Sequence, residues 1–352
     1  MQPWEGHKVY MAPLISICIP SYNRPVELGE LLASIALEPR GGWEIVISED
    51  HAPRRSEVLS SVESFRAGHP DIPVAYFSNE RNLGFDANLR ILFERASGAY
   101  CLFMGDDDVL CSGALSEVRA AVAHPNIGVV LRSWQSVDKA TGQSIELHRY
   151  YPDDCLFVAG RSTILSFFRK SVFLSGLVIH RESALRFATE RFDGTLLYQL
   201  WLVGKILAEK NGYYIADILS LRRAGGEHFF GSAEAEKGRF EPKKTTPRHS
   251  LTFVEGLLGI ADALDEEGGR VAQEIRRELA AYSFPLLSMH AEHLSHREFR
   301  AYANDLARLG LGKSRLFWSY YCLLSIMGTG MSERAIRLAK RLLGSTPILV
   351  RT

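Results

Sequence analysis

Between residues 14 and 131, short apolar runs alternate with amphipathic stretches, and this alternation leaves few folds open. Runs at 14–20, 43–48, 74–77, 100–104 and 128–132 read as strands, and stretches at 26–37, 56–66, 86–97 and about 113–123 read as helices. In the first helix Leu28, Leu31, Leu32 and Ile35 fall on one face, the spacing of a helix packed against a sheet. Strands that are apolar throughout, without alternation, are buried on both faces. The pattern predicts an α/β domain: a Rossmann-like, mostly parallel sheet flanked by helices. In such sheets ligands gather at the carboxyl ends of the strands.

Those ends carry the polar chemistry. The fourth strand closes on Asp106, Asp107 and Asp108. Three adjacent carboxylates repel one another, and a divalent cation that takes oxygen ligands would offset their charge; a solvated turn before a helix is the competing explanation. The first strand breaks at Pro20 into Ser-Tyr22-Asn-Arg24, setting a ring and a cation where a base could stack and a phosphate could pair. The second ends Ser48-Glu49-Asp50, and a third loop reads Asn79-Glu-Arg81-Asn82-Leu-Gly84-Phe-Asp-Ala-Asn88. Helix caps and ordinary turns account for these residues equally well one at a time. No GxGxxG fingerprint and no GxxxxGK[ST] loop is present, which argues against dehydrogenases and P-loop NTPases.

Taken in order, Pro20 to Arg24, the acidic end of strand two, Asn82-x-Gly84-x-x-x-Asn88 and Gly105-Asp-Asp-Asp108 resemble a family 2 glycosyltransferase with the A-type glycosyltransferase fold. The resemblance covers residues 14–135 and, more loosely, 170–225. Phe173 to Gly176, with the Phe-Asp-Gly-Thr stretch after it, is similar to bacterial O-antigen deoxysugar transferases such as abequosyltransferases. The resemblance implies a nucleoside diphosphate sugar donor held by Pro20, Tyr22, Arg24, Glu49, Arg81, Asn82, Gly84, Asn88, Asp106 and Asp107. It places Asp106 nearer the ribose and makes Asp108 the ligand of Mg²⁺ or Mn²⁺. Glu49 stands where the family usually has Asp. A histidine downstream of the core often completes the metal site, a role that falls to His228, and Arg222 or Arg223 would pair with the diphosphate. The implied reaction is inverting transfer to a hydroxyl of a surface glycan carried on undecaprenyl diphosphate.

One element departs from the family. A Glu-Asp pair usually precedes a Leu-Trp-Leu helix and supplies the base; here Leu196 and Leu197 precede Leu200-Trp201-Leu202. Asp193 is the nearest substitute, with Glu227 and His228 as further candidates, and a turn beside Gly194 accounts for Asp193 equally well. The missing pair keeps a non-catalytic scaffold in view. A sugar-phosphate nucleotidyltransferase shares the sheet and the metal, but the chain lacks its basic glycine-rich loop.

These readings divide the chain into a tail (1–13), a catalytic domain (14–230, with a nucleotide half to about 132 and an acceptor half beyond), a loop or lid (231–250) and a helical region (251–352). Helices are predicted there at 251–264, 270–289, 298–309 and 316–343. The 41 basic and 41 acidic residues balance, so no field argues for nucleic acid. Five scattered cysteines fit reduced thiols in the cytoplasm. No apolar leader core opens the sequence, and no run approaches the about 18 apolar residues of a spanning helix. From 313 to 352 there are seven Lys or Arg and one Glu, beside Trp318, Tyr320 and Tyr321. A basic amphipathic helix of this kind suits the anionic inner face of a membrane; packing on the catalytic domain and a homodimer interface are its other uses.

Overall fold

Isoleucines at 15, 17 and 19 alternate with Ser16 and Cys18 along the first strand, and all five are buried, so both faces of this strand carry helices. The computed structural model describes residues 13–343 and 348–350; the expected tail at 1–13 lies outside these but for Pro13. The nucleotide half runs β1 (Ile15–Ser21), α1 (Pro25–Ile35), β2 (Trp43–Glu49), α2 (Arg55–Gly68), β3 (Val74–Ser78), α3 (Phe85–Arg95), β4 (Tyr100–Phe103), β5 (Val109–Leu110), α4 (Ala114–Val122) and β6 (Ile127–Asp138). There follow β7 (Ser144–Arg149), β8 (Cys155–Phe157), α5 (Arg161–Phe167), β9 (Val178–His180), α6 (Arg181–Arg186), α7 (Tyr198–Leu207) and β10 (Asn211–Ala224). The chain continues through α8 (Pro247–Glu266), α9 (Ala272–Ala281), α10 (Phe284–Ala291), α11 (His296–Arg308), α12 (Arg315–Leu343) and β11 (Ile348–Val350).

The sheet order is β11-β7-β6-β9-β4-β1-β2-β3. The four strands β4, β1, β2 and β3 are parallel, as the alternation predicts. Beyond them β9 lies antiparallel between β4 and β6, and β10 runs parallel along the other edge of β6. One face packs Leu28 and Leu31 of α1, Val58 of α2 and Leu115 of α4 against Ile17 and Ile47. The other packs Leu89 of α3, Phe167 of α5 and Leu200 of α7 against Cys18 and Phe103. That second core continues through Leu257 of α8, Ile275 of α9, Leu306 of α11 and Phe317 of α12. The C-terminal helices thus share the core of the sheet domain.

Several elements differ from the sequence reading. The helix expected at 270–289 is two, α9 and α10, because Pro285 sits in the first turn of α10, where a proline starts a helix but cannot continue one. α12 bends at Gly328 (φ 70°, ψ 175°). β10 has no counterpart in the reading, since register shifts near Ile215, Ile218 and Ser220 break its period. The expected lid is packed down: Ala233, Glu236 and Phe240 are buried.

Candidate active site

β1 and β4 are parallel neighbours, with Cys18 opposite Phe103, so the segments leaving their carboxyl ends emerge side by side. Tyr22 N–H donates to Asp106 Oδ2 at 2.9 Å, and Arg24 Nη1 donates to Asp106 Oδ1 at 2.9 Å. Arg24 Nη2 lies 3.1 Å from Asp107 Oδ2. Asn23 makes this turn possible with φ 64°, a conformation asparagine tolerates. Asp108 turns inward: Oδ2 accepts from Ser175 Oγ, and Oδ1 from the Arg223 N–H at 3.3 Å. The Arg223 guanidinium reaches the Asp107 carbonyl and pairs with Glu30, while Arg222 is exposed with its charge bearing on Asp108.

The segment after β10 closes over this corner. Glu227 O accepts from Arg24 Nη2 at 2.5 Å, the guanidinium stands 5.2 Å over the Phe229 ring, and Tyr22 meets Phe229 edge-on at 5.8 Å. Burial pushes the Asp106 carboxyl up to about 6, with Arg24 opposing and Asp107 adding to the rise. Burial, then repulsion from Asp107, pushes Asp108 to about 7. The carboxylates are thus short of compensating charge, and their oxygen-only donor set fits a hard cation that binds through one or two carboxylates and a ligand's phosphates.

Other residues expected at the site lie elsewhere or are engaged. Glu49 is fully buried; Oε1 accepts from Ala52 N–H at 2.6 Å and Oε2 from Ser78 Oγ at 2.8 Å. Asn88 is buried too, bonded to Ser48 and Asn79. The N–H of Gly84 is taken by Asp50 Oδ2 and Asn82 Oδ1. In this structure these three groups brace the loop, which Glu236 also braces by accepting from Phe85 N–H and Gly231 N–H. Arg81 stays exposed on the same loop, with Asn82 and Pro20 partly so. His228 stacks on Phe230 and lies 3.4 Å from Thr245 Oγ1. Among the described residues no three His, Cys, Asp or Glu side chains converge in this structure.

Asp193, the expected base, is engaged as well. Arg90 grips both oxygens of Asp193, at 2.6 and 2.9 Å, so each already has a partner within the protein. Glu227 pairs with Lys243. Replacing Asp193 with Asn is expected to lower stability by up to about 1.5–3 kcal/mol, the range for a hydrogen bond to a charged group, and to leave turnover near the parent's. Urea unfolding with steady-state kinetics checks this; lost turnover in a fully folded variant would restore Asp193 as base. Ser175, which the sequence reading named only within the Phe173 to Gly176 resemblance, and Asp86, which accepts from Leu196 and Tyr198 N–H, were given no partners there because those partners are distant in the chain.

Residues 16–186 match the family described as Glycosyl transferase family 2. Abequosyltransferase RfbV of Salmonella typhimurium is 36% identical over 29% of this chain and 31% of its own length. A GalNAc(5)-diNAcBac-PP-undecaprenol beta-1,3-glucosyltransferase of Campylobacter jejuni is 32% identical over 30% of this chain and 33% of its own length. The chain thus spans about a third of each of these relatives. Among solved structures, the mannosyltransferase PcManGT of Pyrobaculum calidifontis, in complex with GDP-Man and Mn²⁺, superposes with a TM-score of 0.52 at 16% identity, over 98% of this chain and 92% of that one. At that identity the likeness shows the fold, the A-type glycosyltransferase fold.

Proposed function

With residues 16–186 forming a glycosyl transferase family 2 domain, we propose that the protein transfers a sugar from a nucleoside diphosphate donor to a hydroxyl of a bacterial surface glycan. The observation that carries this reading is the corner where Tyr22 and Arg24 meet the under-compensated Asp106 and Asp108. Asp108, with Asp106 beside it, would hold Mg²⁺ or Mn²⁺, and Mn²⁺ accompanies the donor in the mannosyltransferase of similar fold. The cation would supply charge stabilisation for the departing diphosphate.

The chain's own residues do the rest. Tyr22 offers a ring for the base, Arg81 and Asn82 offer polar contacts from the neighbouring loop, and Arg222 offers a free charge to the diphosphate. Arg24, now the counter-ion of Asp106 and Asp107, is positioned to exchange carboxylate for phosphate. The inverting course rests on the family resemblance, and no side chain is assigned as base.

A lipid-linked acceptor is supported by the undecaprenol-linked substrate in the name of the Campylobacter relative and by α12. No described helix is long and apolar enough to cross a membrane, yet α12 exposes Leu316, Trp318, Ile326 and Met331, with Arg315 and Arg334 exposed on the same helix. We read these exposed apolar and basic residues as resting on an anionic membrane surface, and catalytic domain, lid and helical region as one working unit.

Product analysis tests the reading. Incubation with UDP-, GDP-, CDP- and dTDP-sugars, Mn²⁺ and undecaprenyl-diphosphate glycans is expected to release one nucleoside diphosphate and extend the glycan. Pyrophosphate release instead would make the protein a nucleotidyltransferase, and no turnover with any donor would favour a scaffold.

A further inference from the structure

Two buried side chains stand behind the acidic corner without a role in the reaction above, Ser175 and Arg132. Ser175 Oγ lies 2.9 Å from Gly105 N and also bonds Asp108 Oδ2. A backbone N–H only donates, and a hydroxyl has a single proton. The Ser175 lone pair therefore takes Gly105, and its proton is directed at Asp108. This single hydroxyl ties the strand end that carries the triplet to the carboxylate at the triplet's far side.

The position of that hydroxyl is itself fixed. The Ser175 carbonyl accepts from Arg132 Nε at 2.9 Å, Arg132 Nη2 at 2.5 Å and Ser220 Oγ at 2.7 Å. Arg132 Nη2 also reaches the Phe173 carbonyl at 2.9 Å. Gly176, at φ +91°, leaves no room for a side chain: a Cβ there would lie 2.7 Å from Arg132 Nε. The segment 173–176 is wrapped round a fully buried guanidinium, and the wrapping aims Ser175 Oγ.

We infer that Ser175, aimed by Arg132, is a positioning residue that holds Asp108 Oδ2 and so leaves Oδ1, whose one contact is long, as the oxygen offered to the cation. The inference rests on the assignment of Asp108 as metal ligand. Groups that orient a ligating carboxylate typically matter 10- to 100-fold for metal affinity.

The test titrates Mn²⁺ alone into the full chain, reading free Mn²⁺ by its electron paramagnetic resonance signal, with melting temperature recorded alongside. Ser175→Ala is expected to weaken Mn²⁺ binding by about tenfold or more. Ser220→Ala removes a buried bond to the same residue without touching Asp108, and is expected to leave the affinity close to the parent's. Ser175→Cys, similar in size with a weaker donor, is expected to fall between, and it stands in if the alanine variant does not fold. Parent-like affinity in Ser175→Ala or Ser175→Cys, or equal losses in Ser175→Ala and Ser220→Ala, would overturn the inference while leaving Asp108 as ligand. Parent-like affinity in Asp108→Ala would remove the assignment beneath it.

Discussion

Asp108→Ala is expected to abolish metal-dependent nucleotide binding and to lower turnover by about a thousandfold or more, as loss of several kcal/mol of charge stabilisation requires. The variant is expected to stay folded. Alanine forfeits the bonds from Ser175 Oγ and the Arg223 N–H, but it also relieves a carboxyl that burial and Asp107 disfavour in its ionised form and raise to about 7. Titration of the nucleotide with and without Mn²⁺, beside steady-state turnover, checks this. A folded Asp108→Ala protein that still binds and turns over with metal would show that the cation sits elsewhere.

The second large effect falls on stability. Asp86 is buried in the first turn of α3, and its two oxygens accept from Leu196 N–H at 2.8 Å and Tyr198 N–H at 2.9 Å. These bonds hold the entry to α7, a helix buried on all sides, where Leu196 sits at φ 65°. Asp86→Ala strands two buried donors at about 1–3 kcal/mol each, a large share of a net stability of about 5–15 kcal/mol. Asp86→Asn keeps an acceptor and is expected to lose less. The pH dependence separates charge from hydrogen bonding. Burial, opposed by the two N–H groups, raises Asp86 to about 7 from its ordinary 3.8. Between those values the folded state keeps a proton that the unfolded state has released, so the group's contribution to stability falls as pH rises. The parent's advantage over Asp86→Asn is therefore expected to be larger at pH 5 than at pH 8. Urea midpoints of both proteins at the two pH values measure it, and parallel profiles would contradict it.

The nucleotide half was legible because its strands are apolar runs buried on both faces, and because its chemistry lies on strand ends a few residues long: Tyr22, Arg24 and Asp106 to Asp108 are brought together by neighbours in the sheet. What was not legible depends on direction and distance. Glu49 and Asn88 carry groups suited to a nucleotide, but only the fold shows that those groups face inward to Ser78 and Ser48. Ser175 lies 67 residues from Asp108, and Asp86 lies 110 from Leu196; neither pairing leaves a periodic trace. β10 was hidden by its own bulges, and the joint between α9 and α10 by apolar spacing that runs on past Pro285. The basic, aromatic stretch near the C-terminus gave its amphipathic pattern in sequence, and the structure adds that Phe317 and Leu324 anchor it to the core while Leu316 and Ile326 remain outside.

The central claim is a metal-dependent site for a nucleoside diphosphate at the ends of β1 and β4. Isothermal titration of the parent protein with UDP, GDP, CDP and dTDP, each with and without Mn²⁺, tests it most directly. The account predicts that one nucleotide binds with clear preference and that its binding requires the metal. Binding of none of the four in the presence of Mn²⁺, or equal binding with and without it, would contradict the account.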